Sequence, residues 1–461
     1  MGEFHSKKRK PWPATRTILI SFFLVILIGS LLLELPVSNV GGVSAGYLNN
    51  LFVATSNTCV TGLTPIVVAE QYTWFGQVVL IFLMQIGGLG FMTIVAVLMV
   101  SRGHKLKLSE RGLMQDALSL TSTTNVGVIL RRIMKYVAII EGTGFLLYAT
   151  QFVPEFGLKK GLFVSLFTAV SAFVNAGFDN IGPANLQPYV HNIVINATTT
   201  SLIILGGIGF MVWFDVTDHV RKGLRNKLSV RKMLQSLTLH TKFVLFMTLF
   251  LLISGTILIF ILESQNPGTM KDYTLWEKIV ASFFQSTTLR TAGFSTIDFG
   301  KIYPATAMIM ILYMFIGGSP GGTAGGVKTT TFGLVVLGIF NELRGVGSIT
   351  LFKKQVSKDN LAKALAIMGL SFSFLFIMVL FCVIAQEGTF LELWFEAVSA
   401  LATVGLSLNL TPTLDATGKI AMILLMYIGR VGVMTVGVSM SKRSSIYKNE
   451  IQYPHDHVQI G

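Results

Sequence analysis

Charge is what this chain has least of. Only 13% of its 461 residues are Asp, Glu, Lys or Arg, where a soluble domain carries roughly 25%. With 52% of residues hydrophobic, the composition excludes an ordinary soluble fold and sets the class as a polytopic membrane protein. Cysteine is nearly absent: Cys59 and Cys382 lie in unrelated segments, which excludes a disulfide framework and a cysteine zinc site. The 7 histidines form no HExxH or similar cluster. There is no P-loop and no GxGxxG between a strand and a helix, so nucleotide chemistry has no carrier in this chain. No nucleophile–base pair stands out, which argues against an enzyme, and no cofactor of its own is expected. After the basic start MGEFHSKKRKPWPATR no cleavage site is convincing, so no cleaved secretory signal is expected.

What is present is a fourfold repetition. Phe, three residues, Ser or Thr, five residues, Gly, then Leu or Phe fits Phe52/Ser56/Gly62/Leu63, Phe167/Ser171/Gly177/Phe178, Phe283/Thr287/Gly293/Phe294 and Phe395/Ser399/Gly405/Leu406. The glycines are 115, 116 and 112 residues apart, so one structural unit recurs. Each copy opens with about ten mostly apolar residues, too few to cross a bilayer, and reads as a re-entrant helix followed by exposed backbone. Apolar stretches near 17–36, 74–100, 134–153, 191–214, 242–262, 304–343, 361–386 and 417–440 are each long enough to span. The expected fold is therefore all-α and integral to the membrane: eight transmembrane helices and four re-entrant pore helices, as fourfold pseudo-symmetric helix–pore–helix repeats around one central ion pathway. The repeats are residues 17–100, 134–214, 242–343 (with a broken second helix) and 361–440. Linkers 101–133, 215–241 and 344–360, together with termini 1–16 and 441–461, are expected in the cytoplasm.

The distribution of the +14 net charge argues for that orientation and against nucleic acid. Of the 36 Lys and Arg, 27 fall in segments 1–16, 101–136, 216–242, 341–363 and 441–461. The alternate loops hold 6 Lys against 12 carboxylates, so the positive-inside rule puts both termini in the cytoplasm. The outer acids would concentrate cations at a mouth. Topogenesis alone explains the missing outer lysines but not the surplus of acids.

A second pattern follows each pore-loop glycine: IGGLGFM at 86–92, LGGIGFM at 205–211, IGGSPGG at 316–322 and IGRVGVM at 428–434. In the first two, glycine permits close packing around the axis. The third extends to GGSPGGTAGGVK at 317–328, inside a spanning segment. One Pro and six Gly cannot hold a helix there, and broken backbone at membrane depth is tolerated only against protein or a water-filled cavity. The expected gate is thus Gly317, Gly318, Ser319, Pro320, Gly321, Gly322, Thr323, Ala324, Gly325, Gly326 and Lys328. The competing reading is a kinked helix, for which one Gly or Pro would suffice. In the fourth cluster Arg430 replaces the glycine found at 88, 207 and 318. A guanidinium near the membrane centre costs at least about 2.5–3.5 kcal/mol on insertion scales, so it is expected to face the axis and the 317–328 loop. The competing reading is a snorkelling anchor, a task Lys442 and Arg443 already serve.

An ion crossing the membrane must exchange water for other oxygens, and converging backbone carbonyls supply them without net charge. The lining segments are 58–62 (TCVTG), 173–177 (FVNAG), 289–293 (LRTAG) and 401–405 (LATVG). Their expected ion-binding carbonyls belong to Val60, Thr61, Gly62, Asn175, Ala176, Gly177, Thr291, Ala292, Gly293, Thr403, Val404 and Gly405. None of these segments carries a carboxylate, which favours a monovalent cation over Ca²⁺ or Mg²⁺. Arg290 is expected to point behind the filter and support the loop. Asp179 and Asp298 are candidates for the outer mouth, and Glu141, within the third span, is expected to be paired.

These motifs resemble the Trk/Ktr/HKT superfamily of potassium transporters. The resemblance rests on TCVTGL, NAGF, RTAGF and TVGL, on QIGGLGFM and GGSPGGTAGGVK, and on YIGR with Arg430. It covers 17–440, and eight spans without an extra N-terminal pair look most like the Ktr membrane subunit. It implies K⁺ uptake through a channel-like pathway, with Na⁺ transport or Na⁺ coupling as the alternative. A glycine in all four filters implies K⁺ preference, and Ser in place of the first implies Na⁺. The loop at 317–328 and Arg430 would be the family's gate. The resemblance also implies a homodimer in the cell membrane, resting on a cytosolic ring of nucleotide-binding regulatory subunits.

Overall fold

The computed structural model describes residues 14–90, 126–345, 349–433 and 435. The expectations for 1–13, 91–125, 346–348 and most of 434–461, including Lys442 and Arg443, lie outside the described residues. The described residues are 73% helix, and beyond helices they add a short hairpin, β1 (Thr350–Leu351) with β2 (Lys354–Gln355).

Three helices recur in each of four units. The first has α1 (Ala14–Glu34), α2 (Tyr47–Cys59) and α3 (Trp74–Leu89); the second has α4 (Val126–Phe156), α5 (Leu158–Val174) and α6 (Ile193–Ile208), continued by α7 (Phe210–Arg225). The third has α8 (Leu239–Glu263), α9 (Leu275–Thr288) and α10 (Pro304–Phe315), continued by α11 (Thr329–Leu343); the fourth has α12 (Lys358–Ala385), α13 (Phe390–Leu401) and α14 (Ala416–Val431). The opening helices α1, α4, α8 and α12 are long and apolar enough to cross a membrane. They show large apolar side chains outward, among them Phe23, Ile28, Phe246, Ile253, Phe376 and Ile377. A helix apolar on every face suits lipid.

The closing helices depart from the expected spans. Stretches 74–100, 191–214 and 417–440 are not single helices: they stop at Leu89, Ile208 and Val431, each followed by a glycine, Gly90, Gly209 or Gly432, with φ of +83°, +102° and +95°. A right-handed helix needs φ near −63°, so the chain must turn there. At Gly209 the turn is 98°, carrying α7 sideways. Sixteen residues make about 24 Å of helix, short of the roughly 30 Å hydrocarbon core. In the third unit the break is longer, with non-helical backbone between Phe315 and Thr329.

The units pack in a closed ring in chain order. Helix α3 packs on α5, α6 on α9, α10 on α13, and α14 returns to α2. Gly87, Gly206 and Gly429 lie directly against the carbonyls of Thr58, Phe173 and Leu401, where a Cβ would fall well inside van der Waals contact. In the third unit the equivalent Gly317 meets the carbonyl of Gly325 instead, because a loop is inserted there. The repeat's phenylalanine also slips in that unit: Phe52, Phe167 and Phe395 are fully buried, while Phe283 is 37% exposed and Phe284 takes the inner place.

Much of the outer acid surplus serves local structure. Glu277 and Glu392 close capping boxes with Thr274 and Thr389, and Asp415 caps α14. Glu263 is fully buried and accepts from Asn266, Thr269, Thr306 and the Tyr303 N–H. Glu396, also buried, accepts from Thr411. The surplus therefore has a packing reason independent of any steering field.

Gly206→Ala forces backbone apart at a unit contact and is expected to destabilise by about 1–3 kcal/mol, whereas Gly142, with nothing within 4 Å of its Cβ position, tolerates Ala. Thermal unfolding in detergent, followed by size exclusion, checks the pair: the midpoint falls for the first and holds or rises for the second.

Candidate functional site

Each pore helix ends the same way. Val60, Asn175, Thr291 and Thr403 take left-handed φ of 58°, 62°, 64° and 53°, and Gly62, Gly177, Gly293 and Gly405 follow at 107°, 72°, 77° and 92°. The intervening residues are tied back to the helix: the N–H groups of Thr61, Ala176 and Val404 donate to the carbonyls of Ser56, Ser171 and Ser399, each at 2.8 Å. Ala292 donates instead to Thr288 at 3.0 Å, in keeping with the slip in that unit. The Ser56 and Ser399 hydroxyls accept from the N–H of Gly62 and Gly405 at 3.1 Å.

These loops meet. A Cβ on Gly62 would lie 2.8 Å from the carbonyl oxygen of Ala176, one on Gly177 2.6 Å from that of Ala292, and one on Gly293 2.8 Å from that of Val404. A Cβ on Gly405 would overlap the carbonyl oxygen of Thr61, closing the ring. Any side chain at these four positions must displace a neighbour's carbonyl and hold a positive φ, so glycine is required twice over. Outside the ring lies a cavity of about 310 Å³, lined by all four glycines with Asp179, Asn185, Ser295 and Ser407. Asp298 does not line it; it caps Gly300 and pairs with Lys301 at 3.2 Å.

Asn185 is a contributor that the sequence reading missed. Its Nδ2 donates to Asp179 at 2.8 Å, and its Oδ1 accepts from the Ser295 N–H at 3.2 Å, tying the mouths of the second and third units. The sequence offers only the preceding GPA turn, which gives no hint of these contacts, and the residue's left-handed φ of 51° shows only in the structure. Asp179 also accepts from the N–H groups of Ile181 and Gly182, yet burial outweighs these bonds and pushes its carboxyl up to about 6.

On the side of the ring away from that cavity lies 317–328. Its backbone is satisfied by its surroundings, as it must be in an apolar environment. Gly317 donates to Val327, Ser319 to Gly207 and Thr323 to Gly206, and Gly321 accepts from Phe210. Gly318 sits against Ala324 and accepts from the Thr329 N–H, and Gly322 lies against the carbonyl of Gly206. Pro320 has its carbonyl against Gly209. Gly321 and Gly326 have φ of 71° and 65°. Contact with the four-loop ring is direct: the Gly325 N–H donates to Thr291 Oγ1 at 3.2 Å, and Thr323 Oγ1 donates to the carbonyl of Phe173 at 3.2 Å. Lys328 turns back on the loop, its Nζ donating to the carbonyl of Ala324 at 2.7 Å.

Arg430 reaches inward, not to the surface. Its guanidinium donates to the carbonyls of Thr323 in the loop and of Gly87 and Gly88 at the end of α3. It thereby joins three units. Glu141 receives both of its bonds from the Gln85 amide, at 2.9 and 2.8 Å, so its partner is neutral. Arg290 makes no hydrogen bond through its side chain, contrary to the supporting role expected for it.

A fold of apolar helices in this arrangement is that of a membrane transporter, and the comparisons name the family. Residues 6–449 match the TrkH family, described as cation transport proteins. The chain belongs to that family. It is 38% identical over 446 residues to the Ktr system potassium uptake protein B of Bacillus subtilis, covering 97% of this chain and 96% of that one. The Ktr system potassium uptake protein B of Vibrio alginolyticus is 36% identical, covering 97% of this chain and 94% of that one. The potassium/sodium uptake protein NtpJ of Enterococcus hirae is 36% identical, covering 98% of each chain. The fold is similar to the crystal structure of the potassium transporter TrkH from Vibrio parahaemolyticus, with a TM-score of 0.73 and 17% identity over 95% of this chain and 87% of that one.

Arg430→Gln removes charge-assisted bonds worth about 1.5–3 kcal/mol, so the amides of 317–328 are expected to exchange hydrogen at least about tenfold faster; unchanged protection means that the arginine does not hold the loop. Asp179 is charged above about pH 6 and neutral below it. Acidifying the outer solution through that value is therefore expected to lower cation uptake, and Asp179→Asn to flatten that step in a flux-versus-pH series.

Proposed function

We propose that this chain is the K⁺-translocating subunit of a Ktr-type uptake system. The observation that carries the reading is the ring made by the carbonyls of Thr61, Ala176, Ala292 and Val404 against Gly405, Gly62, Gly177 and Gly293. Peptide oxygens crowded around one axis, in segments without a carboxylate, suit an ion of single charge that sheds water readily. Eight crossings follow if each closing helix, short or broken, counts as one span with its continuation. Helices α2, α5, α9 and α13 are then the re-entrant pore helices, and both termini are cytoplasmic.

The loop at 317–328 serves as the gate, with Arg430 as its latch. The latch bonds run to carbonyls only, so the loop can leave without unpairing a buried carboxylate, and a modest push from the cytoplasmic side suffices. A homodimer and a cytosolic nucleotide-binding ring are the partners this reading carries, supported by the Ktr system names of the relatives. The regulatory nucleotide then belongs to the ring and not to this chain.

The test is cation flux into liposomes containing the purified chain, with and without a candidate cytosolic subunit. K⁺ uptake is expected in Na⁺-free medium. Gly62→Ser and Gly293→Ser are expected to reduce the K⁺ over Na⁺ preference by about tenfold, the equivalent of ~1.4 kcal/mol in relative site energy. Deleting the middle of 317–328 is expected to raise flux. An absolute need for external Na⁺, or undiminished K⁺ preference in both glycine variants, contradicts the reading.

A further inference from the structure

Arg290 is the anomaly of this structure. Its side chain is only 4% exposed, yet Nε, Nη1 and Nη2 all lack a hydrogen-bond acceptor. Among the described residues no carboxylate pairs with it. Of the fully buried carboxylates, Glu263 is taken up by its four donors, and Glu396 accepts from Thr411 through one oxygen while the other lacks a partner, yet neither forms an ion pair with Arg290. The other two interior cations differ from it, since Lys328 and Arg430 both donate to carbonyls of the gate loop. Buried charge is normally paired because removing it from water is costly, so a guanidinium kept without a counter-ion needs a reason.

Its position supplies one. Arg290 belongs to a filter-lining segment: its own carbonyl accepts from Asn175 Nδ2 at 3.2 Å, and Thr291, the next residue, makes the left-handed turn into Gly293. The equivalent residues three before the other glycines are Cys59, Val174 and Ala402, none of them charged at neutral pH. The ring thus carries one fixed positive charge that the other three loops do not share.

A carbonyl ring alone has a weakness. Small divalent cations such as Ca²⁺ and Mg²⁺ are already disfavoured by their cost of dehydration, but one of K⁺ size, such as Ba²⁺, sheds water more readily and is attracted by the oxygens about twice as strongly as K⁺, so it would occupy and block the path. A fixed charge with no neighbour to neutralise it repels in the same proportion, and therefore acts against the divalent ion selectively. We propose that Arg290 sets valence selectivity: it keeps divalent cations out of the carbonyl ring. At an effective dielectric of about 20 and a separation of about 10 Å, the repulsion on a second ionic charge corresponds to roughly a tenfold discrimination. The inference rests on the ion-pathway reading above and adds the class of ion refused.

The test compares Ba²⁺, close to K⁺ in size, with K⁺ itself in liposomes containing the full chain. For Arg290→Gln the ratio of Ba²⁺ to K⁺ entry is expected to rise about tenfold, with Ba²⁺ block of K⁺ flux at correspondingly lower concentration. Arg290→Lys keeps the charge with a different shape and is expected to retain exclusion. If the glutamine variant does not fold, the lysine variant alone decides, because a buried lysine can lose its proton and an arginine cannot. Raising the pH then admits Ba²⁺ in Arg290→Lys but not in the wild type, which shares every other titratable group. An unchanged ratio in Arg290→Gln overturns the inference, as does loss of exclusion in Arg290→Lys at every pH. K⁺ flux in the same vesicles separates the two readings: K⁺ entry with an unchanged Ba²⁺ ratio removes only the role of Arg290, and no K⁺ entry removes the pathway reading with it.

Discussion

Four stretches of backbone must approach one another until only glycine fits between them, and most of the structure follows from that constraint. The carbonyl before each glycine lies against the glycine of the adjoining unit, and the fourth loop returns to the first. Such an approach requires positive φ at two residues in every loop, which an isolated chain would not hold. The pore helices hold it by bonding the loop back to their last turns through Ser56, Ser171, Thr288 and Ser399. The closing helices in turn press glycines against three of the pore-helix ends, at Gly87, Gly206 and Gly429. Geometry at the axis is thereby set by the packing of the helices around it.

The same constraint explains where symmetry fails. One unit departs from the others on the side of the ring away from the cavity of about 310 Å³, where the proposed ion pathway needs control. In the third unit the closing helix is interrupted, and the freed backbone finds partners in Gly206, Gly207, Phe210 and Thr291. Every polar bond the loop makes is neutral apart from those of Lys328 and Arg430, whose donors meet carbonyls. An interior held by many modest bonds and no ion pair can change arrangement without separating two buried charges, and Arg430 would keep its bonds to Gly87 and Gly88 when that to Thr323 is lost. That property is what the proposed role of the loop as a gate requires.

Part of this was legible from residues alone. The fourfold spacing, the glycines at 62, 177, 293 and 405, and the breaking of the third closing helix by one Pro and six Gly were plain because glycine and proline act through backbone geometry. The stops at Gly90, Gly209 and Gly432 were hidden, because a single glycine within an apolar run is compatible with a continuous membrane helix. The slip between Phe283 and Phe284 was invisible for a related reason: both residues are phenylalanine, and only packing decides which turns inward. The acids of the alternate loops were legible as charge but not as structure, since composition does not separate a capping Glu277 or a buried Glu263 from a solvated carboxylate. Asn185 and the isolation of Arg290 depend on side-chain contacts across units, which no local pattern encodes.

The most direct measurement is to locate the ion. Crystals of the protein in Rb⁺ or Tl⁺, both stand-ins for K⁺, give anomalous scattering that marks the cation independently of any interpretation of the chain. The account predicts a peak on the axis, within coordination distance of the carbonyl oxygens of Thr61, Ala176, Ala292 and Val404. Ions found only among the outer carboxylates, or coordinated by side chains with the ring empty, would contradict it.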